Sequence, residues 1–80
     1  MRQFRPSQVK APPTAHPLVK RLFAEMELQQ VGVADLAERA GVARETLSAW
    51  RHRQSPSLVN MEACLNVLGL RLRIGYEKPE

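Results

Sequence analysis

Apolar positions return at helical spacing in four stretches of this chain, and each stretch closes at a glycine, a proline or a polar cluster. From Pro17 onward, Leu18, Leu22 and Met26 recur every four residues with Lys20, Arg21 and Glu25 between them, predicting an amphipathic helix that ends near Gln30. Pro17 suits its first position, where a fixed φ helps and the missing N–H is not needed. Past Gly32, "VADLAERA" sets Leu36, Ala37 and Ala40 against Asp35, Glu38 and Arg39, which describes a second, short helix. After Gly41 and Val42, "ARETLSAWRH" places Leu47 and Trp50 on one stripe of a third helix that stops before Gln54, Ser55 and Pro56. Ser57 is a natural N-cap for a fourth, carrying Leu58, Met61, Leu65 and Leu68, with Gly69 placed for a left-handed exit. Finally "LRLRIGY" alternates, with Leu70, Leu72, Ile74 and Tyr76 on one face and Arg71 and Arg73 on the other, the period of a half-buried strand. The expected fold is mainly α, a small helical bundle followed by a C-terminal β-strand.

Gly41 interrupts two helical patterns that almost touch. A very tight turn between helices needs a residue with positive φ, which glycine adopts without a Cβ penalty. Ala37, four residues earlier, keeps the crossing of the second and third helices thin, while Val42, Leu47 and Trp50 anchor the third. This spacing spells a helix-turn-helix, although an ordinary corner between two helices accounts for the glycine and the small residue equally well.

Before the first helix, residues 1–13 combine Pro6, Pro12 and Pro13 with Arg2, Arg5 and Lys10 and offer little to bury, which reads as a flexible basic arm. Residues 14–69 then form the helical domain, and 70–80 the strand and tail. With 80 residues there is room for one small core, so burial against a partner is expected to matter. A net charge of +4 suits a polyanion and equally a well-solvated basic surface. Cys64 is single and lies in an apolar run, where a buried, inert thiol in a reducing cytoplasm is expected. No apolar run approaches the ~18 residues of a membrane span, and "MRQFRPSQVKAPP" lacks the apolar core of a secretory signal. A soluble, cytoplasmic protein is expected, with no membrane partner.

From His16 to Leu70 the chain resembles the Cro and lambda-repressor-like helix-turn-helix family, also called the XRE family. The resemblance lies in "LAERAGV", in the "TLSAW" that follows, and in "SPSL" leading to "LNVLG". It implies a small lambda-repressor-like bundle that binds double-stranded DNA, usually as a dimer, with the helix after the glycine turn in the major groove. It also implies base contacts at the positions of Ala43, Arg44, Glu45, Ser48 and Ala49. Where members often carry a phosphate-binding Gln this chain has Val33, and where they carry a capping Ser or Thr it has Ala43.

The residues themselves fit such a role. The face of the third helix opposite Leu47 and Trp50 bears Glu45, Ser48, Ala49 and His52, with Arg44 on its shoulder. Arg44 suits bidentate contact with guanine, Glu45 a cytosine amino group, Ser48 either, and Ala49 a thymine methyl. A carboxylate near phosphates costs affinity, so Glu45 serves discrimination or braces Arg44. Arg51, His52, Arg53, Gln54 and Ser55 follow this helix, and Ser57 opens the next, a loop suited to gripping the DNA backbone. Arg2, Arg5 and Lys10 of the arm are expected to reach phosphates or an adjacent minor groove.

The strand has no second strand in the chain to pair with, and its unpaired ladder invites a partner. Pairing across a two-fold axis through Leu70, Leu72, Ile74 and Tyr76 gives a homodimer with two recognition helices about 34 Å apart. The expected function is a sequence-specific transcriptional regulator. The alternatives are an antitoxin-like protein that binds operator DNA and a toxin, and a helix-turn-helix used only for protein contacts. No catalytic residues, metal ligands or cofactor are expected. His16 and His52 are far apart in sequence, and no paired carboxylates or glycine-rich phosphate loop occur.

Overall fold

Four helices follow one another in the order the apolar spacing predicts: α1 (Pro17–Gln29), α2 (Val33–Ala40), α3 (Arg44–Trp50) and α4 (Leu58–Val67). They are those of a computed structural model that describes residues 11–52 and 54–76. The recognition segment is shorter than its sequence pattern, because Arg51 and His52 leave the helix in a turn tightened by Arg51 N–H to Ser48 C=O at 3.2 Å and His52 N–H to Ala49 C=O at 3.0 Å.

The core is one cluster to which every helix contributes. Val19, Leu22, Phe23 and Met26 of α1 meet Leu36 and Ala37 of α2, Leu47 and Trp50 of α3, and Met61, Cys64 and Leu65 of α4. Two expectations about which residues enter it are corrected. The inward stripe of α1 starts at Val19, while Leu18 is 41% exposed, since positions i, i+3, i+4 and i+7 give a wider face than a strict fourth-residue row. Leu58, the first residue of α4, is 75% exposed although it lies one turn before the buried Met61 on the same stripe.

Three of the helices end alike. Gly41 lies in the left-handed region at φ 73°, its N–H returns to Glu38 C=O at 3.4 Å, and the next N–H, from Val42, reaches Ala37 C=O at 3.0 Å. Gly69 at φ 82° repeats this with Asn66 and Leu65, and Gln30 at φ 57° repeats it with Glu27 and Met26. Each exit satisfies carbonyls that the helix leaves unpaired and turns the following apolar residue, Val31, Val42 or Leu70, back onto the core. The ends of α1 and α4 are also tied together, as Gln29 Nε2 donates to the Leu68 carbonyl at 2.8 Å.

From Leu70 to Tyr76 the chain has no regular structure, and no strand occurs among the described residues. Leu70 and Leu72 pack against the core cluster, whereas Ile74 and Tyr76 are fully exposed. A single chain supplies no neighbour to complete a ladder, so nothing holds the backbone past Leu72 in register.

Candidate nucleic-acid interface

The Gly41 turn fixes α3 against α2 with Leu47 fully buried and Trp50 nearly so. That anchoring decides what the opposite side presents. Ala43, Arg44 and Glu45 are exposed, and Ser48 and Ala49 half-buried, so the five positions expected to contact bases are all accessible, Ala43 at the N-cap and the other four within α3. Arg44 Nε lies 4.0 Å from Glu45 Oε2, and both side chains are mostly in water. A pair this open contributes little to stability but holds the two groups side by side.

A cleft of about 240 Å³ borders this surface, lined by Val33, Ala34, Arg44, Ser48 and Arg51. Val33 is buried and supplies only an apolar wall, so the start of α2 offers no polar side chain at that position. Arg51, a residue expected at the backbone, thus stands beside Arg44 and Ser48, expected at bases. A second cleft brings Ala11 and Pro12 against Arg51 and His52. A third joins Thr14 and His16 to Trp50, His52, Gln54 and Ser55. Arg51 is common to the first two and His52 to the last two, so the three clefts form one track around the end of α3.

Other expected site residues are placed as follows. His52, Gln54 and Ser55 are exposed, and the loop is folded back by Gln54 N–H to Ala49 C=O at 3.4 Å. Ser57 Oγ accepts from Asn60 N–H at 3.1 Å, the N-cap of α4, which leaves its hydroxyl hydrogen available as a donor. Arg53, Arg2, Arg5 and Lys10 lie outside the described residues. Ala43 makes no side-chain cap for α3. His16 was missed as a structural residue: its Nδ1 accepts from Leu18 N–H at 3.0 Å and caps α1. The only sequence signal was its place before a proline at the first helical position, and histidine is not among the usual capping residues.

Residues 19–74 match a family described as helix-turn-helix. The chain belongs to the helix-turn-helix family of Cro and lambda-repressor type. Members are DNA-binding transcription regulators, and the helical domain built around Gly41 is the part that matches. No curated protein and no solved structure matches the chain. Among the described residues of the helix-turn-helix domain, no group of side chains is arranged to hold a metal ion, and no helix is long and apolar enough to cross a membrane. Cys64 sits in the core, where burial pushes its thiol up to about 11.

Proposed function

We propose that this protein is a sequence-specific regulator that binds double-stranded DNA as a homodimer, with α3 in the major groove, and works in the cytoplasm on the nucleoid. The observation that carries the reading is the two-sidedness of α3: Leu47 and Trp50 lock one side into the core, while Arg44, Glu45 and Ser48 stand on the other. Arg44, Glu45, Ser48 and Ala49, with Ala43 at the helix start, read base edges. Arg51, His52, Arg53, Gln54, Ser55 and Ser57 hold the backbone. Ala11 and Pro12, within the arm, lie against Arg51 and His52, which favours Arg2, Arg5 and Lys10 reaching DNA close to the end of α3.

Dimerisation is assigned to the tail. Ile74 and Tyr76 are fully exposed beyond Leu70 and Leu72, and pairing with the tail of a second copy covers them. The same exposure supports the antitoxin-like reading, in which a toxin takes the second copy's place.

Selection of bound sites from random duplexes tests the core of the proposal, with one enriched, roughly palindromic motif expected and no enrichment counting against it. Solution mass tests the dimer: the full chain should be dimeric, and truncation after Gly69 should give a monomer with far weaker operator binding. A second protein that co-purifies in place of the homodimer selects the antitoxin-like reading.

A further inference from the structure

We propose that His16 is a DNA-backbone contact, donating from Nε2 to a phosphate seated in the cleft between the start of α1 and the loop after α3. The proposal rests on the DNA-binding reading above and adds to it a residue from the opposite end of the domain.

The cleft measures about 280 Å³ and is lined by donors from two separate parts of the chain: Thr14 and His16 on one side, His52, Gln54 and Ser55 on the other, with Trp50 among them. None of the described lining residues is acidic, so the site is suited to an anion. His52 is shared with the cleft of Ala11, Pro12 and Arg51, and Arg51 with that of Arg44 and Ser48, so the clefts run on from the exposed side of α3. Duplex DNA laid on that side therefore carries its backbone past the cleft.

His16 is prepared for this role by its structural one. Because Nδ1 accepts the Leu18 N–H, the neutral ring carries its proton on Nε2, and the cap fixes the tautomer and the ring together. The result is an exposed, oriented donor. Such a donor strengthens binding to every sequence alike.

The experiment measures affinity of the full-length protein for random-sequence duplex DNA over a range of salt, for wild type, His16→Asn and Arg53→Ala. Asparagine keeps a capping acceptor but removes the Nε2 donor, so the melting temperature of the free protein should be unchanged. Affinity should fall roughly 2- to 10-fold, the worth of one hydrogen bond. Arg53→Ala should flatten the dependence of affinity on salt. Imidazole nitrogen signals of wild-type His16 should keep the Nε2–H tautomer and shift on DNA addition, a reading independent of how well the variant folds. Unchanged affinity of His16→Asn, or His16 signals that do not respond to bound DNA, would overturn the proposal while leaving DNA binding intact. Absence of any duplex binding by wild type overturns both.

Discussion

The N–H of Val42 donates to the carbonyl of Ala37 at 3.0 Å, five residues back and across Gly41. This single bond ends α2, starts the approach to α3 and turns Val42 toward the core. It forms only because Gly41 takes φ 73°. A Cβ built at Gly41 meets nothing within 4 Å, so the requirement is purely one of backbone conformation. Gly41→Ala should cost about 1–2 kcal/mol of stability, the penalty of a left-handed alanine, measured by urea unfolding. A loss within a few tenths would mean that the turn tolerates an L side chain.

Gln30 makes the same exit for α1, at φ 57°, without being glycine. Its side chain is exposed, so the helix pays the left-handed penalty there for no packing return. Gln30→Gly should raise stability by about 0.5–1 kcal/mol, the strain relieved less the greater freedom of glycine in the unfolded chain. A lower thermal midpoint for this variant would contradict the account.

Ala43 and Ser57 hold nearly the same backbone, φ −64° and ψ 140° against φ −72° and ψ 154°. Only Ser57 caps its helix. Ala43→Ser should therefore add about 0.5–2 kcal/mol by supplying the acceptor α3 lacks, read by urea unfolding of the free protein.

Arg44 and Arg53 should separate specificity from affinity. Arg44→Ala is expected to cost about 1–3 kcal/mol on the selected site and to relax one base preference. Arg53→Ala should weaken selected and random duplexes alike. Equal losses on both kinds of DNA for both variants would remove the division between base and backbone contacts.

The Cys64 thiol, pushed up to about 11 by burial, holds its proton more tightly in the folded chain than in the unfolded one. Its contribution to stability is fully present below about pH 8.5 and is lost as pH rises through the folded value. Near pH 8 an aromatic disulfide reagent should leave the native protein unlabelled and react with one thiol per chain in denaturant. Rapid native labelling would show that the core opens around α4.

Four helices were legible in the sequence because apolar spacing, Pro17, Ser57 and the glycines at 41 and 69 are local signals, and each acts within a turn or two of itself. The role of Gly41 was readable for the same reason: positive φ is a property of one residue. Which apolar residues face inward was less so. Leu18 and Val19 both fit a helical stripe, and only the position of the neighbouring helices buries Val19 and exposes Leu18. His16 and His52 lie 36 positions apart, and no local pattern joins them. They line one cleft because the core that seats Val19 and Trp50 brings the start of α1 to the end of α3. The alternation from Leu70 to Tyr76 is equally plain in the sequence, yet a strand is a relation between two backbones, and the single chain offers the second one nowhere among its described residues.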